Sequence, residues 1–193
     1  MLGLKLPTDP RWVNIVEENI PTILTDHAYC EMKAASYANS LILKYPEKTE
    51  MVDKLSALVI EETEHFRMVF QKIQERGLSL GRESKDQYVH DLLKFVHKGG
   101  RAEEILCDRL LIAAMIEARS CERFRVLSEN IQDQDLASFY HDLMASEARH
   151  YTMFISFARK YCTGIDVEAR WQAFLAYEAG LMEKYGKLGS VHG

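Results

Sequence analysis

Glu61-Glu62-Thr63-Glu64-His65 sets a carboxylate and an imidazole three positions apart inside a long amphipathic pattern. On a helix, Glu62 and His65 then lie one above the other on the same face. Glu147-Ala148-Arg149-His150 repeats the arrangement in the second half of the chain. A pair of metal ions inside a four-helix bundle needs such a Glu-x-x-His pair on each of two helices and one glutamate from each of the other two. Single glutamates stand one helix upstream of each pair, Glu31 before Glu62 and Glu117 before Glu147. The chain therefore reads as two helical hairpins, each carrying Glu and then Glu-x-x-His.

The surrounding periodicity supplies the four helices. Leu24, Ala28, Glu31, Ala35, Ala38, Ile42 and Tyr45 recur at three- and four-residue steps, as do Met51, Leu55, Leu58, Glu62, His65, Val69 and Ile73 in a helix that stops near Gly77. A third stripe, within about Arg101 to Glu129, carries Leu106, Leu110, Ala113, Glu117, Cys121, Phe124 and Leu127. A fourth runs through Leu136, Tyr140, Leu143, Glu147, His150, Phe154, Phe157 and Tyr161, with Asp133 or Asp135 as its cap. Each stripe places its ionisable residues near mid-length on the apolar face. Small residues (Ala28, Ala34, Ala35, Ala38) surround Glu31 and leave room beside the carboxylate. The segment from Leu78 to Gly100, with a short pattern through Tyr88, Leu92 and Val96, is expected to cross over between the hairpins. Asp9-Pro10 opens a short N-terminal helix, Val167 to Leu181 forms a C-terminal one, and the tail from about residue 186 is expected to be flexible.

Four buried carboxylates without a cation would be severely destabilising, so the six residues are expected to bind two metal ions. Four carboxylates and two imidazoles favour iron or manganese over zinc, which takes fewer ligands. Glu62 and Glu147 are expected to bridge, Glu31 and His65 to complete one ion, and Glu117 and His150 the other. The outer ring nitrogen of a ligand histidine needs an acceptor, for which Glu61 is the candidate. Tyr29, Tyr37, Tyr140 and Tyr151 read as core aromatics rather than radical carriers. His27, His90, His97, His141 and His192 read as structural or exposed.

Length and composition set the frame. A chain of 193 residues with 47% hydrophobic residues, 27% charged residues and four prolines fits one helix-rich domain spanning 1–193. A net charge of −5 provides no global field for a polyanion, so any such partner must use a local patch. Cys30, Cys107, Cys121 and Cys162 show no Cys-x-x-Cys spacing and read as buried thiols in a reducing compartment. No window approaches the roughly 20 apolar residues of a membrane span, and the N-terminus lacks the apolar run of a signal peptide. A soluble cytoplasmic protein, monomeric or a small oligomer, is expected.

The pattern Glu31, Glu62-x-x-His65, Glu117, Glu147-x-x-His150 resembles the ferritin-like di-iron carboxylate superfamily, which includes ferritins, rubrerythrins, bacterial multicomponent monooxygenases and acyl desaturases. More narrowly, the whole chain resembles the bacterial tRNA 2-methylthio-N6-isopentenyladenosine hydroxylases, in its length and in the segments Glu61-Glu62-Thr63-Glu64-His65-Phe66 and Ser146-Glu147-Ala148-Arg149-His150-Tyr151. The resemblance implies an all-α, ferritin-like four-helix bundle with a long crossover between two hairpins. It also implies two iron ions, O2 as co-substrate, and hydroxylation of the isopentenyl side chain of a hypermodified adenosine beside the tRNA anticodon. An external electron donor is expected, because the chain has no flavin or nicotinamide fingerprint and no iron–sulfur cysteine set.

An acidic protein must then hold the anticodon stem-loop through a local basic patch. Arg101, Arg109, Arg119, Arg123 and Arg125 give the third helix an excess of basic residues and are the candidate phosphate contacts. Other readings are a ferroxidase or iron-storage subunit, a rubrerythrin-like peroxidase and a manganese catalase. Storage demands a shell-forming oligomer, and the peroxidase normally carries a rubredoxin-like cysteine set that this sequence lacks.

Overall fold

The computed structural model describes residues 2–186, 188, 190 and 191, and among them it contains seven α-helices and no strand. They are α1 (Trp12–Glu18), α2 (Ile20–Lys44), α3 (Thr49–Glu75), α4 (Gln87–Leu92, running into a 3-10 turn at Leu93–Phe95), α5 (Ala102–Asn130), α6 (Gln134–Tyr161) and α7 (Val167–Tyr185). The four long apolar stripes correspond to α2, α3, α5 and α6. The chain divides into two compact units: one built from Glu18–Lys85 and taking in Val191, the other from the segment up to Glu17 and Asp86–Leu188.

The first unit is the α2–α3 hairpin. Its core stripe, Leu24, Ala28, Ala35, Ala38 and Leu41 against Met51, Leu55, Leu58, Val69 and Ile73, is buried throughout. Gly77 ends α3 at φ +66°, where its N–H donates to Gln74 and Leu78 N–H donates to Ile73. This closure needs a left-handed residue, which glycine adopts without a Cβ penalty. The chain then straps back along α2: Gly81 N–H donates to Thr25 Oγ1 at 3.2 Å, Tyr29 Oη donates to Gly81 O at 3.0 Å, and Lys33 pairs with Glu83 at 2.9 Å.

The second unit packs α5 against α6, with α4 and α7 alongside. Asp133 caps α6, accepting from Asp135 and Leu136 N–H groups at 3.0 and 3.1 Å, which decides between the two aspartates expected there. Asp86 and Asp166 cap α4 and α7 in the same way. Described residues of the tail make contacts with the rest of the chain. Trp12 Nε1 donates to Leu188 O at 2.8 Å, and Val191 is buried with its N–H on Asp26 Oδ2 at 2.8 Å. Burial of Val191 and a backbone carbonyl bonded to an indole supply what a polar tail would lack.

α5 is enclosed on nearly all sides, and this corrects the expected phosphate patch. Arg119 and Arg123 have no exposed surface. Arg119 Nε and Nη2 donate to Glu178 Oε1 at 2.8 and 2.6 Å, Nη1 to Glu122 Oε2 at 3.0 Å, and Nη2 also to Leu6 O at 3.0 Å. Tyr88 Oη donates to the same Glu178 oxygen at 3.1 Å. Arg123 lies 4.0 Å over the Trp12 ring and donates to Gly186 O at 3.3 Å. Burial, and then Arg119, push the Arg123 guanidinium down to about 9. Arg119 is thus an interior ion-pair partner and Arg123 an interior group held by the Trp12 ring and a backbone carbonyl, and neither is a phosphate contact. Arg101 is exposed, and Arg109 and Arg125 are half-buried.

Candidate metal centre

In the first unit, α2 contributes Glu31 and α3 contributes Glu62 and His65, all buried. One donor atom from each lies within 4.8 Å of the others. His65 Nδ1 is 3.1 Å from Glu62 Oε2 and 3.7 Å from Glu31 Oε2. The three-residue spacing on α3 brings Glu62 and His65 to one face, and the antiparallel hairpin brings Glu31 opposite them. Ala28, Ala35 and Ala38 are buried on the Glu31 stripe as expected, whereas Ala34 is half-exposed and turned from it.

Electrostatics within this triad are strongly coupled. Burial disfavours the Glu31 carboxylate, but bonds from His27 and His65 more than offset it and hold the group well below the usual carboxylate range. Burial likewise disfavours the His65 imidazolium, yet Glu31 and Glu62 raise it to about 9. A metal ion at this place must therefore displace a proton from His65.

His27 is the residue that sequence reading missed. It is fully buried, and its Nε2 lies 2.7 Å from Glu31 Oε1. The signal was present as His27-x-x-x-Glu31, a four-residue spacing that places both on one face of α2.

The second unit repeats the donor set. Glu117 on α5 and Glu147 and His150 on α6 are buried, again with one donor atom from each within 4.8 Å of the others. Here His150 Nδ1 is 3.6 Å from Glu117 Oε2 and 3.8 Å from Glu147 Oε1, longer than in the first unit. One turn beyond Glu117, Cys121 Sγ donates to Met144 O at 3.4 Å, and burial pushes its thiol up to about 11. That thiol is a packed core group and not a ready ligand.

Each unit thus offers two carboxylates and one imidazole, all hard oxygen or nitrogen donors, with two negative charges to balance a divalent cation. The donor set fits iron or manganese and lacks the thiolates of a structural zinc site. Among the other residues singled out, Glu61 is half-buried beside Glu62. Tyr140 is buried against Phe124 and Phe139, Tyr151 packs on Trp171, and Tyr29 bonds Gly81 O, so three of the four tyrosines have packing or hydrogen-bonding roles. His97 pairs with Asp108 at 2.7 Å. His192 lies outside the described residues.

Three comparisons bear on this arrangement. The family described as tRNA-(MS[2]IO[6]A)-hydroxylase (MiaE) matches residues 2–193. A tRNA 2-(methylsulfanyl)-N(6)-isopentenyladenosine(37) hydroxylase of Pseudomonas putida is 37% identical over 182 residues, covering 93% of this chain and 86% of that protein. A Salmonella typhimurium protein of the same name is 30% identical over 230 residues, covering 93% and 83%. Among solved structures, Protein 43 with aldehyde deformylating oxygenase activity from Synechococcus superposes with a TM-score of 0.89 at 32% identity, covering 98% of this chain and 95% of that one. The all-α, ferritin-like architecture expected from the sequence is thereby established.

Proposed function

Because the chain belongs to the tRNA-(MS[2]IO[6]A)-hydroxylase family, we propose that it hydroxylates the isopentenyl side chain of 2-methylthio-N6-isopentenyladenosine next to the tRNA anticodon, using O2 and two iron ions. The observation that carries the reading is the doubled donor set, Glu31 with Glu62 and His65, and Glu117 with Glu147 and His150, in a chain matched to that family over residues 2–193. In this proposal Glu31, Glu62, His65, Glu117, Glu147 and His150 would hold the two ions. Glu61 is the proposed acceptor for the outer ring nitrogen of a ligand histidine.

The iron pair, when bound, supplies the electrons for cleaving the O–O bond and the oxidant for an unactivated C–H bond. The chain's own residues do the rest. Buried glutamates neutralise the cations and exclude bulk water from them. Ala28, Ala35 and Ala38 keep bulk away from Glu31. The apolar pocket that this proposal requires beside Glu31 would position a five-carbon chain but discriminate weakly, since each methylene contributes about 1–3 kcal/mol. The adenine, its thioether and the stem-loop supply the remaining selectivity.

The finer partners belong to the same proposal. Arg101 just before α5, and Arg109 and Arg125 on it, keep exposed surface and are the remaining proposed phosphate contacts. Electrons come from an external donor, and the protein acts in the cytoplasm as a monomer or small oligomer. Among the described residues no helix is long and apolar enough to cross a membrane.

The test supplies reduced iron-loaded protein with 18O2 and an anticodon stem-loop carrying the prenylated base. One labelled oxygen atom in the side chain, found by mass spectrometry, is the expected result. Consumption of O2 with growing ferric mineral and no labelled product would favour the ferroxidase reading instead.

A further inference from the structure

The hydrogen bond between His27 and Glu31 has no counterpart at the matching place in the other hairpin, and we infer that His27 is a positioning residue that makes the two metal positions unequal. Its Nε2–H fixes Oε1 of Glu31, so that this carboxylate presents Oε2 alone to a cation, whereas Glu117 stays free to pivot. The inference rests on the reading of Glu31 and Glu117 as metal-binding glutamates.

His27 lies one turn before Glu31 on the same face of α2 and has no exposed surface. Its Nε2 is 2.7 Å from Glu31 Oε1, and because a carboxylate oxygen only accepts, that nitrogen carries the proton. The other oxygen, Oε2, is the one directed toward His65, 3.7 Å from its Nδ1. The two oxygens of Glu31 are thus assigned different work by the fold. Rotating the carboxylate would break a charge-assisted bond and leave a buried polar group unsatisfied inside the protein.

On α5 the residue one turn before Glu117 is Ala113, which offers only a methyl group. One turn after Glu117 stands Cys121, whose thiol is committed to Met144 O at 3.4 Å, whereas the matching place after Glu31 is Ala35. Glu117 meets His150 only at 3.6 Å, beyond good hydrogen-bond geometry. The repeat that matches the six donors therefore does not extend to their supports. The α2–α3 position has a pre-oriented glutamate binding through one oxygen. The α5–α6 position has a glutamate able to change between one- and two-oxygen binding, and so to open a coordination place at that ion.

The test is an anaerobic Fe2+ titration of the metal-free full-length protein by calorimetry, with 57Fe Mössbauer spectra at each loading, on wild type, His27→Leu and His27→Gln. Leucine fills space without a donor, and glutamine keeps an N–H of similar reach. Supporting partners of metal ligands are worth about 10–100-fold in affinity. In His27→Leu one Fe2+ should bind as in wild type and the other 10–100-fold more weakly, with one quadrupole doublet changed; His27→Gln should restore most of the loss. If the Leu variant does not fold by circular dichroism, His27→Asn, whose donor falls short of Glu31, takes its place with the same expectation. Unchanged affinities in the donor-less variant, equal weakening of both ions, or a Gln variant no better than Leu would each overturn the role of His27. A wild-type protein that takes up no pair of Fe2+ fails at an earlier step, sinking the metal reading of the six residues and the inference with it.

Discussion

Replacing Arg119 with Met removes a positive charge from the interior of α5 while keeping most of the side-chain bulk. Glu178 and Glu122 are 0% and 2% exposed, and Arg119 donates to both at 2.6–3.0 Å. Removing one member of a buried ion pair costs about 3–5 kcal/mol, because the partner is left charged and dry. Two features place this case at the lower end. Arg123 attracts both carboxylates, and Thr8 keeps its N–H and hydroxyl on Glu122. A loss of about 3 kcal/mol is expected, or about 6–12 °C in Tm for a chain of this size. Burial holds the Glu178 carboxyl above its ordinary value despite Arg119, and the substitution raises it further. A carboxyl raised in the folded state favours folding where it is protonated, so the penalty should be full well above that pKa and shrink as pH falls toward 5. Urea denaturation of metal-free wild type, R119M, E178Q and the double variant at pH 5 and 8 measures all of this. The double variant should recover about 1–3 kcal/mol relative to the sum of the single changes. A stability loss under about 0.5 kcal/mol, which is ordinary for a surface site, or a loss independent of pH, would refute the structural role assigned to this arginine.

Other expected outcomes concern the site and its substrate. His65→Ala or His150→Ala should lower bound iron and abolish hydroxylation while leaving far-UV circular dichroism nearly intact; full iron occupancy and activity in both would reject the assignment. Loading Fe2+ near pH 7 should release a proton from His65, whose folded value is about 9, and a weakly buffered indicator dye reads it directly. By the same shift the metal-free protein should be most stable below the ordinary histidine range and lose stability as pH rises through 9, a dependence that melting curves would miss if His65 were neutral throughout. Arg101→Glu should weaken stem-loop binding and lower its salt slope by about one, whereas an unchanged slope would move the footprint off the start of α5.

The helices, and the burial of six glutamates and histidines on their stripes, are legible because both depend on spacing. Helical period fixes which residues share a face, and a glutamate or histidine on an otherwise apolar stripe, as at Glu31, Glu62, His65, Glu117, Glu147 and His150, stands out against it. The same rule misplaces two of the arginines of α5. Arg119 and Arg123 fall off the Leu106–Leu127 stripe and so look solvated, which holds for a helix with one buried face. α5 has more than one: α6 packs along it, while α7 and the N-terminal segment close over its other side through Glu178, Leu6 and Thr8. The covering partners lie 59 to 114 residues away, a distance at which no local pattern reports. His27 escapes the pattern for a different reason: its four-residue step to Glu31 is not the Glu-x-x-His spacing that marks the other histidines of the site.

In the proposed reading, the Glu and Glu-x-x-His repeat would hold two cations and set the charge they meet, and it does so symmetrically. The residues one turn away do not repeat: His27 and Ala35 flank Glu31, and Ala113 and Cys121 flank Glu117. Under the reading proposed for the site, the symmetric donors do not by themselves distinguish the two ions, so a difference between them would come from the residues beside the donors. The 2.7 Å bond on Glu31 and the methyl group at the corresponding position one turn before Glu117 on α5 are the supports that differ in this chain.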